Sequence, residues 1–220
     1  MRHFVEELEE LKNRLLEMSG LVESAIYRSV AAVVEKDTAQ AQQVLQSEAR
    51  INQMEIEIDD LATRLLATQQ PMAGDLRFLT AAIKINSDLE RMGDLAVNIV
   101  ERALALRGAP AARPVIDIPQ MARLAESMVR KSLDAFVRSD AALARSVLLS
   151  DDAVDDLRDS IYEELINFMQ QSPDHVRPGV SLMFVARSLE RLADHATNIA
   201  EDVLFLVNGV DVRHHAEVRK

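Results

Sequence analysis

The sequence predicts an all-α protein made of two tandem homologous three-helix bundles, with six long antiparallel helices. Three observations support this prediction. Apolar residues recur at helical spacing over long stretches of the chain. The six glycines and six prolines are grouped in a few places, whereas an all-β protein would need turn residues about every ten positions. The second half of the chain also repeats the plan of the first.

The first half contains three predicted helices. Asp37 is the predicted N-cap of the second helix, because its carboxylate can accept hydrogen bonds from the next exposed backbone N–H groups. The second helix carries apolar residues as far as Leu65, and Pro71 suits the first turn of the third helix, which continues to residue 108. The buried stripe of the first helix comprises Phe4, Leu8, Leu11, Leu15, Met18, Leu21, Val22, Ala25, Ile26, Ser29 and Val33.

The second half follows a proline-rich segment and has the same order of elements. Apolar residues from Met121 to Phe136 mark the fourth helix, and Asp140 caps the fifth as Asp37 caps the second. Residues 170–179 separate the fifth helix from the sixth. The predicted domains are a first unit at residues 1–108, a linker at 109–118, a second unit at 119–209 and a charged tail at 210–220.

Two pairs of segments show the repetition directly. The segment LERMGDLAVNIVE at 89–101 matches LERLADHATNIAE at 189–201 in eight of thirteen positions. The segment MSGLVESAIYRSV at 18–30 also aligns with MARLAESMVRKSL at 121–133. Helical proteins share composition, so weak matches arise by chance, but eight identities in the same helix of each half exceed that level. The chain is therefore predicted to be an internal duplication.

Composition and charge exclude or disfavour several functional classes. The chain has no cysteine, which excludes disulfides, thiolate metal sites and cysteine nucleophiles. The net charge of −11 disfavours nucleic-acid binding, because a phosphate backbone would be repelled. The charged N-terminus lacks the apolar core of a signal peptide, and no apolar run approaches the ~18 residues of a membrane span. We expect a protein that is cytoplasmic, or docked on a membrane complex from the inside.

Acidic and amide side chains repeat on one face of the third and sixth helices. At about 100° per residue they fall within roughly an 80° arc. Like charges one turn apart destabilise a helix by roughly a few tenths of a kcal/mol, yet both halves keep them, with Arg91 and Arg191 placed to neutralise them in part. The predicted metal-site residues are Glu90, Asp94, Asn98 and Glu101 in the first half, and Glu190, Asp194, Asn198 and Glu201 in the second.

Hard divalent or trivalent cations bind where several carboxylate and amide oxygens converge, and neighbouring helices of a bundle can supply such oxygens. The candidate partners are Glu55 and Asp59 on the second helix, and Asp155 and Asp159 on the fifth. Aligning apolar positions shifts the fifth helix by about three residues, so which acids face each other stays open. Spacing alone also leaves open a solvated or partner-docking face instead of a metal site.

The motif segments resemble those of PhoU proteins, which are accessory regulators of the phosphate-specific transport system. The resemblance lies in LERMGD, in LERLADHATNIAE and in the preceding stretch QQPMAGDLRFLTAAIKINSD. It covers both halves and is specific, because the LER motif occurs twice about a hundred residues apart. The resemblance implies two three-helix bundles side by side, with metal ions or clusters at the motif positions Glu90, Asp94, Glu190 and Asp194.

The resemblance also implies a function and partners. Members of this family are negative regulators of the phosphate-starvation response, and they couple the transporter to a membrane sensor histidine kinase. The expected partners are the transporter ATPase subunit, that kinase and a second copy of the chain as a homodimer. The expected cofactor is a divalent or trivalent ion such as Fe, Mn, Zn or Mg.

The two motif segments differ in ways that allow two metal sites to differ in ligands or occupancy. The second has Ala193 where the first has Gly93, and His195 where the first has Leu95. His195 could support a metal ligand, but an interface histidine is the preferred interpretation.

Rival functions lack their motifs. No Glu is followed by His three residues later, which argues against a carboxylate-bridged di-metal oxidase. Phosphate-binding and serine-hydrolase loops are also missing, so we expect a non-enzyme. A metal-binding or coiled-coil helical scaffold unrelated to phosphate signalling remains the alternative.

Overall fold

The computed structural model describes residues 2–106, 114, 116–209 and 212. These residues form helices without any β-strand, which confirms the predicted all-α class. The helices are α1 (Arg2–Val34), α2 (Thr38–Gln69), α3 (Gly74–Ala105), α4 (Ile118–Arg138), α5 (Ala141–Leu148), α6 (Asp151–Gln171) and α7 (Val176–Asn208), with a 3₁₀ turn at Pro173–His175.

Helices α1, α2 and α3 pack on one another as the first unit. The predicted stripe of α1 is confirmed, because Leu11, Leu15, Met18 and Val22 are buried in the core. The predicted N-cap of α2 is confirmed as well, since the Asp37 carboxylate accepts from the backbone N–H groups of residues 39 and 40.

The predicted limits of the third helix were wrong at both ends. The backbone turns left-handed at Gln70, and α3 begins at Gly74, so Pro71 lies in the connection between helices. Helix α3 then ends at Ala105. The residues that follow, 107–113 and 115, lie outside the described part of the chain, as does most of the predicted linker.

Helices α4, α5, α6 and α7 pack as the second unit. Ser29 of α1 and Ser132 of α4 are equivalent in the repeat, and both are buried and donate to the carbonyl three residues earlier. The Asp140 carboxylate caps α5 as predicted, accepting from the N–H groups of residues 142 and 143. The duplicated architecture is thus visible down to individual polar contacts.

The predicted single fifth helix was wrong, because it is divided into α5 and α6 near Ser150. Buried Ala144 and Val147 lie 103 positions after buried Ala41 and Val44. By contrast, buried Ile161 and Leu165 of α6 lie 100 positions after Leu61 and Leu65, which are also buried. The second unit is therefore three residues shorter at this point. Removing three residues from a continuous helix would rotate all later side chains by about 300° around the helix axis. Because the chain breaks between α5 and α6, the buried residues of α6 can still face the core.

The predicted connection at residues 170–179 was also too long. A Ser172 hydroxyl accepts from the N–H of Asp174 and starts the 3₁₀ turn. Helix α7 then begins at Val176, so Pro178 and Gly179 lie in its first turns. Proline is tolerated there because the first N–H groups of a helix have no intrahelical partner.

The two units are joined by α3 and α7, which pack along most of their lengths. The helices run antiparallel, since Lys84 near the start of α3 pairs with Asp202 near the end of α7 at 2.9 Å. At the other end the Arg102 guanidinium lies over the Phe184 ring, 4.5 Å from its centroid. These four positions exchange under a shift of 100 residues, so the interface has approximate twofold symmetry.

None of the helices in the described parts of the chain combines the length and the apolar character needed to cross a membrane.

Candidate metal centre

The middle of α3 carries the first set of predicted site residues on the side away from the core. Glu90 is half-buried, whereas Asp94, Asn98 and Glu101 are exposed. Leu89, Met92 and Ile99 on the opposite side are fully buried. The periodic burial of α3 thus positions Glu90 and Asp94 at the edge of the first unit, as the sequence predicted.

The same positions of α7 have nearly the same burial, with one exception. Glu190 is half-buried, and Asp194 and Asn198 are exposed. Glu201, however, is buried with 6% of its surface exposed, whereas its counterpart Glu101 is exposed. Asn198 directs its amide nitrogen toward Asp88 across the unit interface, 3.4 Å from the carboxylate oxygen. The C-terminal part of this set, Asn198 and Glu201, therefore belongs to the junction between the units.

Helices α2 and α6 bring Glu55 and Asp155 to the motif carboxylates at equivalent positions, 100 residues apart. Glu55 influences Glu90 electrostatically, and Asp155 influences Asp194 in the same way. The open question of which acids face each other is answered for these two. Asp59 is exposed and has no contact with the α3 acids among the described interactions.

The first acidic cluster, formed by Glu55, Glu90 and Asp94, holds uncompensated negative charge. Burial raises the pKa of Glu90 above its usual range, and the charges of Asp94 and Glu55 raise the pKa further. Arg91 and His195 oppose this shift without cancelling it. None of the ion pairs found between described residues includes a member of this cluster.

A buried amide lies beside the first acidic cluster. Asn86 is one turn before Glu90 and only 1% exposed, and its side-chain nitrogen donates to the backbone carbonyl of Glu55 at 2.9 Å. Its side-chain oxygen, Oδ1, is buried and has no hydrogen-bond partner among the described residues. A buried acceptor left without a donor costs free energy, and a cation is one kind of group that could satisfy it.

The second acidic cluster, formed by Asp155, Asp159, Glu190 and Asp194, contains an arginine. The Arg158 guanidinium donates to Asp155 at 2.9 Å, to Glu190 at 3.0 Å and to Asp159 at 2.9 Å. Burial alone lowers the pKa of Arg158, but its hydrogen bond to Asp159 and the surrounding carboxylates raise it overall. Arg158 was not among the predicted site residues, although its spacing of three from Asp155 indicates an ion pair on one helix face.

The chemistry of the two clusters fits a metal ion to different degrees. Carboxylate and amide oxygens are the ligands of hard cations, and the first acidic cluster offers these oxygens without a competing cation. In the side-chain positions seen here, no three acidic or histidine side chains of the described residues converge closely enough to hold an ion. Glu90 and Asp94 would therefore have to adjust their rotamers to bind one.

His195 is an interface residue, in agreement with the preferred interpretation. It is buried on α7, and its Nδ1 lies 2.8 Å from a carboxylate oxygen of Asp88 on α3. Asp88 is also buried and was not singled out by the sequence analysis. A partner 107 residues away gives no local signal.

An apolar cavity of about 340 Å³ lies apart from both clusters. It is bounded by the end of α1, the start of α2, the end of α3 and the start of α7, including Val34, Leu104 and Leu182. Among the described residues of its wall, the charged ones are Lys36 and Asp37, and Asp37 is engaged in capping α2. The cavity contains none of the predicted site residues.

Comparison with known proteins covers nearly the whole chain. The family model of the PhoU domain matches residues 15–103 and 118–203. The phosphate-specific transport system accessory protein PhoU homolog of Pseudomonas putida is 42% identical over 214 residues, which cover 97% of this chain and 84% of that protein. The homolog of the same name from Aquifex aeolicus is 38% identical over 208 residues, covering 94% of each.

Solved structures share the fold. The crystal structure of PhoU from Pseudomonas aeruginosa superposes with a TM-score of 0.91 at 39% identity, covering 94% of this chain and 100% of that one. The crystal structure of the phosphate transport system regulatory protein PhoU from Streptococcus pneumoniae gives a TM-score of 0.87 at 31% identity, covering 95% and 99%. With both units matched in sequence and in structure, the chain belongs to the PhoU family.

Proposed function

We propose that this protein regulates phosphate transport as an accessory protein of a phosphate-specific transport system. In this proposal it represses the phosphate-starvation response and couples the ABC transporter to a sensor histidine kinase. The observation that carries the proposal is the match of both units, at 42% and 38% identity, to proteins named as accessories of that system. The duplicated acidic motif lies at the same position of each unit, which supports the same assignment.

The proposed working form is a cytoplasmic homodimer without catalytic activity that docks peripherally on the inner membrane. The net charge of −11 favours docking on basic partner surfaces and disfavours nucleic acid. The absence of phosphate-binding and nucleophile motifs in the sequence supports a non-enzyme role. Partners would be the transporter ATPase subunit and the kinase.

Binding of a divalent or trivalent metal ion to the first acidic cluster is part of the proposal. Three features support it: the uncompensated charge, the raised pKa of Glu90 and the buried unpartnered oxygen of Asn86. Glu90, Asp94 and Glu55 would hold the ion, which would remove their mutual repulsion and fix α2 against α3. Fe, Mn, Zn and Mg all remain candidates, because the ligands are oxygen atoms that each of them accepts.

Co-purification tests the partner assignment. The tagged chain, expressed in a bacterium that carries the phosphate transporter, should enrich the transporter ATPase subunit and the sensor kinase from solubilised membranes. An unrelated ABC ATPase in the same membranes provides the specificity control. Failure to enrich either named partner, with the chain folded and helical, would favour the alternative of a helical scaffold unrelated to phosphate signalling.

Elemental analysis tests the metal assignment. The purified, untagged protein should carry metal that the double variant Glu90→Ala, Asp94→Ala lacks. The quadruple variant that also replaces Glu190 and Asp194 shows whether any metal remains at the second unit. Equal and negligible metal in all three proteins would make the acidic face a docking or solvated surface.

A further inference from the structure

The two units differ at the positions that surround their acidic clusters. Position 58 in the first unit is a fully buried isoleucine, whereas the equivalent position 158 is an arginine. Position 86 is the buried asparagine with an unpartnered oxygen, whereas the equivalent position 186 is a buried alanine. The first unit thus has an extra oxygen and no internal cation, and the second has an internal cation and lacks that oxygen.

Arg158 already engages the carboxylates that a bound cation would need in the second unit. Its guanidinium is shared between Asp155 and Asp159 of its own helix and Glu190 of α7, at 2.9 Å, 2.9 Å and 3.0 Å. An arginine side chain stays charged in proteins, and its planar fork suits several carboxylate oxygens at once. It also holds α6 against α7, as a bridging metal would.

We infer that Arg158 is the permanent counter-ion of the second acidic cluster, so that metal binding is confined to the first unit. This inference rests on the proposed metal binding at the first acidic cluster and narrows it to one site per chain. It changes the prediction for both motif acids of α7, because Glu190 then forms an ion pair with Arg158 and Asp194 lies near the same positive charge.

Two physical effects act against a metal ion in the second unit. A divalent ion would have to displace hydrogen bonds that Asp155 and Glu190 already make to a charged donor, and such bonds are among the stronger ones in proteins. The ion would also approach a fixed positive charge in a half-buried site, where Coulomb repulsion is weakly screened. In the first unit position 58 is isoleucine, so no arginine there is hydrogen-bonded to the carboxylates, and the charges of Arg91 and His195 act on Glu90 without forming an ion pair with it among the described residues.

Titration of the metal-free protein with Mn²⁺ tests the inference. In the wild-type chain, Glu90→Gln should abolish the tightest class of site, and Glu190→Gln should leave the number of bound ions unchanged. Arg158→Ile, which copies position 58 of the first unit and removes the internal cation, should add about one Mn²⁺ per chain. That added ion should be lost again in the double variant Arg158→Ile, Glu190→Gln. Arg158→Lys keeps the charge and should bind as the wild type does.

The outcomes separate this inference from the proposed function. If Glu190→Gln reduces Mn²⁺ binding of the wild type, or if Arg158→Ile gains no ion, the inference is overturned even where the first acidic cluster binds metal. If the wild type binds no Mn²⁺ but Arg158→Ile gains an ion that Glu190→Gln removes, Arg158 is confirmed as the counter-ion and the proposed metal binding fails. Should Arg158→Ile lose its helical circular dichroism, Arg158→Gln removes the charge with a polar side chain and carries the same expectations.

Discussion

At the scale of residues, buried polar contacts distinguish two units that otherwise share their pattern of burial. Asp88 and His195 form such a contact between α3 and α7, and their equivalents in the repeat are Ser188 and Leu95. A buried polar pair stabilises mainly because each partner would be costly alone. The junction of the units therefore depends on having both residues or neither.

Replacing only one partner of this pair should destabilise the fold. Asp88→Ser leaves the His195 imidazole buried without its acceptor, and we expect a loss of about 1–3 kcal/mol in the free energy of unfolding. The double variant Asp88→Ser, His195→Leu copies the equivalent pair and should recover part of that loss. Urea unfolding of the two variants measures this, and a double variant that is no more stable than Asp88→Ser would contradict it.

The charge on Glu90 should make stability depend on pH. Burial, Asp94 and Glu55 raise the pKa of Glu90, so the folded chain holds that proton more tightly than the unfolded chain. The stability gained from the protonated form is therefore present below the ordinary carboxyl pKa of about 4 and is lost as pH rises through the raised pKa.

Because glutamine carries no charge at any pH, Glu90→Gln should remove this loss of stability with rising pH. With a metal chelator present, its free energy of unfolding at pH 7 should exceed that of the wild type by about 0.3 kcal/mol, the size of a like-charge repulsion one turn apart. The difference should vanish below about pH 4. The exposed Glu163→Gln on α6 is the control for removing one charge, and an equal gain in that variant would rule out the cluster as the cause.

At the scale of elements, the starts of α2 and α5 follow from local sequence. Asp37 and Asp140 were predicted as N-caps because the chemistry of a cap is local, and the structure confirms both. The break near Ser150 was missed, since helical spacing continues on both sides of it. The second unit is seen to be three residues shorter here only when its sequence is aligned with that of the first unit.

The two caps should contribute similar stability. Asp37→Ala and Asp140→Ala each remove an acceptor for two backbone N–H groups, and each should cost about 1 kcal/mol of unfolding free energy. Asp37→Asn and Asp140→Asn keep an acceptor oxygen and should cost much less. The prediction fails if the alanine and asparagine variants unfold at the same urea concentration.

At the scale of the whole molecule, the pairing of α3 with α7 makes one structure of two units. The sequence predicted the duplication and both motif helices, because repeated residues and burial periodicity can be read locally. It could not predict the contacts Asp88–His195 and Lys84–Asp202, whose partners are more than a hundred residues apart. The role of Arg158 toward Glu190 had no local signal either, because the two residues lie on different helices, 32 positions apart.

The separated units should be unstable, because each would expose the apolar side of α3 or α7 to water. We expect the fragments 1–108 and 109–220 to show reduced helicity or to aggregate when alone, and to regain helicity when mixed. Circular dichroism and analytical ultracentrifugation of the fragments measure this. Two fragments that unfold cooperatively and independently, with stabilities matching the intact chain, would contradict it.

The function proposed for this protein is repression of the phosphate-starvation response. The most direct measurement is a starvation-promoter reporter in a bacterium whose own family member is deleted, grown in abundant phosphate, with and without this chain supplied from a plasmid. If the protein is such a repressor, the reporter is active in the deletion strain and silent once this chain is expressed. A reporter that stays active although the folded chain is present would contradict the proposed function.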